Sequence, residues 1–378
     1  MIHRSAVLAG LRTYPFVRLT EARRELEARG VEVIDFGIGE PREETPAFIR
    51  EALAAGVEAR STYPLAEGLP ELRAAIAGWC GRRYGVALDA DSEIIPTLGS
   101  KEVIFHLAQV LGGDIVAVTT PGYPVAARGA VFAGRDVLEL PLRAERGFLP
   151  DLAAVPESTW ARVSILWLNH PNNPTAATAP LSLYEEAAAL AREHGFVVAS
   201  DEAYSELYFG SEPPVSALQV ADRAHVCVLN TLSKRSSMPG YRSGFVAGDP
   251  EIVAALKRYR PNVGVAPQTF VQRAAVAAWG DEAHVEEVRA LYRAKRDVLL
   301  PALEAAGLRH AGGDATFFLW LAGAEEAAAE LLEEGLVLAP GSFFGDGGAG
   351  YARLALVPTL AECERAAGLI SRWRAGRR

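Results

Sequence analysis

Lys234 and Arg242 are the residues with the most chemistry to offer. Lys234 closes the run Val226-Cys227-Val228-Leu229-Asn230-Thr231-Leu232-Ser233-Lys234, whose apolar character reads as a buried strand of a parallel sheet. Such a strand delivers Ser233 and Lys234 to its carboxyl end. Eight residues later comes Gly240-Tyr241-Arg242-Ser243-Gly244, an arginine framed by glycines. An amine at the mouth of a sheet is placed to condense with an aldehyde, and a guanidinium grips a phosphate through a two-pronged fork. Only four lysines occur in the 378 residues, so the competitors are few. Lys101 begins a helical pattern over 102–110 and is expected to face solvent or a phosphate. Lys257 and Lys295 fall in arginine-rich helical stretches, 252–260 and 290–299, where a solvated face is expected.

An aldehyde and a phosphate on one ring describe pyridoxal 5′-phosphate. That group asks five things of a protein: a lysine, an acid at the pyridine nitrogen, donors to the ring oxygen, a phosphate cradle and a face to stack on. Asp201, in Asp201-Glu202-Ala203-Tyr204 after an apolar strand, fits the acid. Its alternative is the cap of a following helix. Asn173, in Asn169-His170-Pro171-Asn172-Asn173-Pro174-Thr175, follows another strand, although Asn-Pro steps are also ordinary turn formers. Gly99-Ser100-Lys101 offers the free N–H groups of a helix start to a phosphate. Tyr123, in Pro121-Gly122-Tyr123-Pro124, offers an aromatic face or else packs a turn.

These residues need a sheet whose carboxyl edge gathers them. Short apolar or β-rich runs at 94–98, 114–119, 136–141, 163–169, 196–200, 226–230 and 245–247 alternate with amphipathic patterns such as 183–194, which Gly195 would end. Repeated strand–helix–strand units predict an α/β fold with a doubly wound, mostly parallel sheet, binding ligands outside its carboxyl ends. We expect an N-terminal arm and part of a small domain over 1–45, a large cofactor-binding domain over 46–270, and a small α+β C-terminal domain over 271–378. The small domain would hold strands near 316–321 and 351–357.

A net charge of −9 argues against nucleic acid or an anionic membrane as partner. The basic cluster Arg372-Trp373-Arg374 with Arg377-Arg378 reads as a solvated helix end. Cys80, Cys227 and Cys363 have no disulfide or zinc spacing, and the seven histidines are scattered, so no metal is expected. Neither a signal-peptide core nor a membrane-length apolar run occurs, and the chain reads as cytoplasmic.

The order glycine-serine turn, aromatic, Asn-Pro, Asp-x-x-Tyr, Ser-Lys, Gly-x-Arg resembles the fold-type I pyridoxal-phosphate enzymes of the class I/II aminotransferase family. The resemblance runs from Gly37-Ile38-Gly39-Glu40-Pro41 to Arg353-Leu354-Ala355-Leu356. It implies that Lys234 is the condensing lysine and Asp201 the pyridine partner. Asn173 and Tyr204 would hold the ring hydroxyl, with Tyr123 stacked on the ring. Gly99, Ser100, the Lys101 backbone, Ser233 and Arg242 would hold the phosphate. Tyr63 would reach the phosphate of a neighbouring subunit, implying a homodimer with shared sites. Arg353 would clamp the substrate α-carboxylate, lined by Gly39 and Asn173.

Within that family, Tyr14-Pro15-Phe16, Gly37-Ile38-Gly39-Glu40-Pro41, Gly99-Ser100-Lys101-Glu102 and Ser233-Lys234-Arg235-Ser236-Ser237-Met238-Pro239-Gly240 are similar to bacterial succinyldiaminopimelate aminotransferases of lysine biosynthesis. Small-molecule amino and keto acids would be the substrates, with ping-pong kinetics. Arg18, Arg128 and Arg235 are candidates for a distal anionic group. Alternatives are an aspartate- or aromatic-type aminotransferase or a β-C–S lyase on the same scaffold. More distant are an oxidoreductase, disfavoured by the lack of a Gly-x-Gly-x-x-Gly after a strand, and a regulatory module, which has no basic extension here.

Overall fold

Twelve strands are observed in a computed structural model that describes residues 2–3, 5–10 and 15–375, without the side chains of residues 15, 16 and 18. Tyr14, Arg377, Arg378 and the side chains of Pro15, Phe16 and Arg18 therefore lie outside the described residues. The strands are β1 (Ile34–Asp35), β2 (Ile94–Thr97), β3 (Ile115–Thr120), β4 (Asp136–Pro141), β5 (Val163–Asn169) and β6 (Val197–Asp201), then β7 (Val226–Thr231), β8 (Gly244–Gly248), β9 (Phe318–Ala322), β10 (Leu336–Val337), β11 (Ala339–Pro340) and β12 (Tyr351–Ala355). Seven form one sheet in the order β2-β8-β7-β6-β5-β3-β4. Six of these run parallel, and β8 alone is reversed, pairing antiparallel with both β2 and β7.

The six strands from β2 to β8 other than edge strand β4 are buried at every residue, which requires helices on both faces. One face packs Trp79, Tyr184, Phe245 and Trp279 into a core; the other packs Val103, Leu107, Ile252 and Leu256. Edge strand β4 carries Asp136 and Glu139 toward solvent, which discourages pairing with another chain. The helix Leu181–His194 ends at Gly195 in the left-handed conformation.

A second unit joins β9, β11 and β12 with the parallel pair β1–β10, so residues near both ends of the chain build it together. Its core holds Ile34, Phe36, Leu299, Phe317 and Leu354. The helix Thr269–Gly280 belongs elsewhere: Ala274, Ala275, Ala278 and Trp279 lie in the large sheet's core, and the Trp279 and Phe245 rings are 5.2 Å apart. The second unit therefore resumes with the long helix Ala283–Ala305, not at residue 271. An alanine-rich helix fits either unit, and only the opposing Trp79 selects the partner.

Lys295, expected on a solvated face, and Arg235, a candidate for a distal anionic group, are both inside. Lys295 is fully buried on the long helix and bonded to Glu43. Arg235 is 1% exposed, its guanidinium 4.6 Å from the Trp279 ring and 5.3 Å from that of Trp79. It donates to Ala278 O at 3.1 Å and Glu282 Oε1 at 2.8 Å. Arg235 thus ties the short helix Leu232–Arg235, which carries Lys234, to the core. Arg235→Ala leaves a cavity between two indoles and an unmet carbonyl, so it should cost about 2–4 kcal/mol. A thermal or denaturant midpoint within error of wild type would contradict this anchoring role.

Candidate active site

The carboxyl edge of the large sheet opens into a cavity of about 710 Å³ against β9 and β12. Strand ends deliver its residues in turn: Gly99 and Ser100 after β2, Tyr123 after β3, Asn173 after β5, Asp201 closing β6, Ser233 and Lys234 after β7. Arg242 precedes β8, and because that strand is reversed, its beginning lies at the same edge as the ends of its neighbours. Each of the residues predicted for the ring, the phosphate and the substrate carboxylate lines the cavity except Gly99, which lies at its wall, and Tyr63. Tyr63 is fully exposed, away from its own chain's cavity.

Lys234 is brought to the cavity by a capped turn. Thr231 accepts from the Ser233 N–H at 3.1 Å and donates to Ser233 Oγ at 2.9 Å. The Lys234 ammonium donates to Gly39 O at 2.9 Å and lies 5.3 Å from the Phe317 ring. Burial, then the nearby Arg353, lowers its pKa to about 8, while Glu40 and Asp201 oppose the shift. Far more of it is thus the free amine near neutral pH than of an ordinary lysine, which favours nucleophilic or basic work.

Asp201 is buried at the floor of the cavity, and burial raises its pKa to about 6, against the Ala203 N–H and the Lys234 charge. Its Oδ1 accepts from Ala203 N at 3.3 Å, but the residues that follow form turns, so the helix-cap alternative fails. Asn169, missed by the sequence reading, sets both neighbours: its side chain donates to Asp201 O at 2.9 Å and accepts from Asn173 N at 3.0 Å. A polar residue closing an otherwise apolar strand was the available signal. Tyr204 is packed edge-on to Phe317 and Phe318, and burial pushes its phenol up, so it stays a donor.

Arg353 reaches across from β12. It donates to Asn173 Oδ1 at 2.8 Å and Gly37 O at 2.7 Å, with its guanidinium 4.2 Å from the Phe318 ring. Gly39 must lack a side chain, since a Cβ there would sit 2.7 Å from Phe318. At the opposite wall Arg242 donates to Pro239 O and Leu98 O, both at 3.0 Å. Gly99 has φ +70, and a Cβ on it would lie 2.8 Å from Arg242 Nη2. That backbone-only approach of the Ser100–Val110 helix start to a guanidinium makes an anion cradle. Together with a softened lysine and a buried carboxylate across the cavity, the donor set fits pyridoxal phosphate.

Of the candidates for a distal anion, Arg235 is committed to the core. Arg128 is half-buried on the helix Val125–Phe132 and does not line the cavity. The Arg18 side chain lies outside what the structure describes. Lys101 does line the cavity, exposed at the helix start, and its ammonium has no hydrogen bond or ion pair among the described residues. Glu40, also exposed and equally unpaired there, was not singled out from the sequence. No helix among the described residues is long and apolar enough to cross a membrane.

A family model described as aminotransferase class I and II matches residues 31–370, and the chain belongs to that family. It is a transaminase, and the family implies the pyridoxal phosphate that the site fits. An LL-diaminopimelate aminotransferase of Nitratidesulfovibrio vulgaris (strain DSM 19637 / Miyazaki F) is 39% identical, over 96% of this chain and 97% of its own. An aminotransferase structure from Neisseria meningitidis Z2491 is 36% identical with TM-score 0.90, covering 98% of this chain and 100% of that one. A probable N-succinyldiaminopimelate aminotransferase of Thermus thermophilus is 34% identical with TM-score 0.87, covering 94% and 99%.

The raised Asp201 pKa makes a testable demand on the cofactor-free protein. A carboxyl whose folded pKa exceeds its unfolded one favours the fold below the unfolded value and loses that contribution as pH rises through the folded value. Asp201→Asn should therefore match wild-type stability near pH 4 and exceed it above about pH 6. Equal midpoints at pH 4 and pH 8 would remove the burial penalty assigned to this carboxylate.

Proposed function

We propose that the chain transfers an amino group between N-succinyl-LL-2,6-diaminopimelate and 2-oxoglutarate, in the route to diaminopimelate and lysine. One observation carries the substrate class: the cavity holds a cation beyond those the chemistry consumes. Lys234 serves as amine, Arg242 faces the phosphate cradle and Arg353 takes an α-carboxylate, which leaves Lys101 for a distal carboxylate. Glutamate, 2-oxoglutarate and succinylated diaminopimelate all carry one. The Thermus relative's description supports the succinylated substrate.

Pyridoxal phosphate, when bound, supplies an electron sink for negative charge at the substrate α-carbon. Asp201 would hold the proton on the ring nitrogen, and Tyr204 and Asn173 would donate to the ring oxygen. Arg353 fixes the α-carboxylate so that the Cα–H faces Lys234. Lys234 Nζ takes that proton as general base, and in the second half-reaction returns one to the α-carbon of the keto acid. Tyr63, exposed on its own chain, serves the phosphate of a second copy in a homodimer.

A second reading is unmodified LL-diaminopimelate as the amino donor. It is favoured by the unpaired Glu40 carboxylate in the cavity, which would meet a distal ammonium, and by the Nitratidesulfovibrio relative's description. Single-turnover half-reactions with each amino donor decide the matter. A rate constant for the succinylated compound well above that for LL-diaminopimelate, aspartate and aromatic amino acids is expected; the reverse order overturns the proposal.

Lys101→Met should raise the KM for glutamate and 2-oxoglutarate by on the order of tenfold, the worth of a charged hydrogen bond. The half-reaction with alanine, which has no distal carboxylate, should be unchanged, and an equal loss on alanine would contradict the role. For the dimer, mixing Tyr63→Phe with Lys234→Ala subunits should restore activity through the one site that keeps both residues. Verified heterodimers with no recovered activity would place Tyr63 outside the neighbouring site.

A further inference from the structure

Residues 36–46 cross from the small unit to the large one, and they carry the two carbonyls that meet the reactive cations. Gly37 O accepts from Arg353 and Gly39 O from Lys234. The segment is tied to both units. Phe36 N donates to Val337 O at 2.9 Å, and Arg42 donates to Asp35 O at 3.1 Å. Thr45 Oγ1 donates to Ser237 O at 2.6 Å, three residues beyond Lys234. Between the Gly37 and Gly39 carbonyls and Thr45 sits Glu43, bonded to the fully buried Lys295 of the helix Ala283–Ala305.

That ion pair is a poor choice for stability alone. Removing an ammonium from water is costly, and two well-packed apolar side chains in its place are often neutral or better. What an apolar pair lacks is direction: an ammonium bonded to one carboxylate fixes the segment's distance and register, where methyl groups would let it slide. Lys295 also connects to the cavity from the other side. Its Nζ lies 5.1 Å from the Tyr292 ring; Tyr292 is 5.2 Å from Phe317, and Phe317 is 5.4 Å from Tyr204. One buried charge thus braces both the crossing segment and the aromatic wall behind the lysine.

We propose that Lys295 and Glu43 are positioning residues, which set the Gly39 carbonyl against Lys234 and the Gly37 carbonyl against Arg353. The inference concerns this chain's own geometry and rests on the aminotransferase assignment, not on which diaminopimelate derivative is the substrate. Other groups that govern the Lys234 charge are Asp201 from β6, Arg353 from β12, Arg242 ahead of β8 and Glu40 on the same segment. None of them is altered by the test.

The double variant Lys295→Met with Glu43→Leu separates positioning from support. We expect a melting midpoint at or above wild type, a KM for glutamate raised on the order of ten- to hundredfold, and a smaller change in kcat. A readout independent of turnover is the pH dependence of Lys234 labelling by an amine reagent in the cofactor-free protein, read by peptide mapping. Its midpoint should fall, because the carbonyl that accepts from the ammonium is no longer held. Lys295→Met with Glu43→Gln, which keeps the shape of residue 43 but removes the ammonium that directs it, carries the same comparison should the first double variant not fold. A lowered midpoint with unchanged KM and unchanged Lys234 labelling would make the pair structural only and overturn the proposal. Loss of amino transfer in wild type would instead strike at the functional reading and leave the labelling result intact.

Discussion

Lys234, Arg242 and Arg353 converge with exposed Lys101 on one cavity, and the rest of the structure answers the crowding of the first three. Like charges this close repel strongly where water is scarce. The protein meets them with backbone carbonyls: Gly39 O for Lys234, Pro239 O and Leu98 O for Arg242, Gly37 O for Arg353. Carbonyls take up ammonium and guanidinium protons without cancelling the net positive charge. The cavity therefore stays attractive to phosphate and carboxylate while remaining foldable. A set of ordinary salt bridges would have neutralised the site it was meant to build.

The sheet topology follows from the same need. Parallel strands point their carboxyl ends one way, so five successive strand ends supply serine, tyrosine, asparagine, aspartate and lysine to a common edge. Only Arg242 must come from the start of a strand, and reversed β8 provides it. Arg353 comes from neither: it belongs to the second unit, so the two arginine ends of the cavity draw on separate cores.

Much of this was legible in the chain. Six of the seven main strands were visible because fully buried strands are written as short apolar runs, and the residues that carry chemistry sit after them. Lys234 stood out because it ended such a run, and the other lysines did not. What was hidden depended on partners remote in sequence. Lys295 looked solvated because helical periodicity carries no trace of Glu43, 252 residues away. Arg235 stood as a candidate for a distal anion because nothing near it in sequence reveals Trp79 and Trp279, which close around it. The helix Thr269–Gly280 was drawn into the wrong unit for the same reason. Two-residue strands β1 and β10 are too short to leave a pattern at all.

The bond between Arg353 and Gly37 joins residues 316 apart in the chain. During synthesis the first strands of the small unit therefore emerge long before their partners exist. The large sheet has all its strands once β8 has been made and its core once the helix Thr269–Gly280 follows, so it has every residue it needs to fold first, anion cradle included. A growing chain thus gains the means to hold a phosphate well before it can orient an amino acid. Contacts of such long range are closed late and at high entropic cost. The order of assembly is cofactor side first, selectivity last.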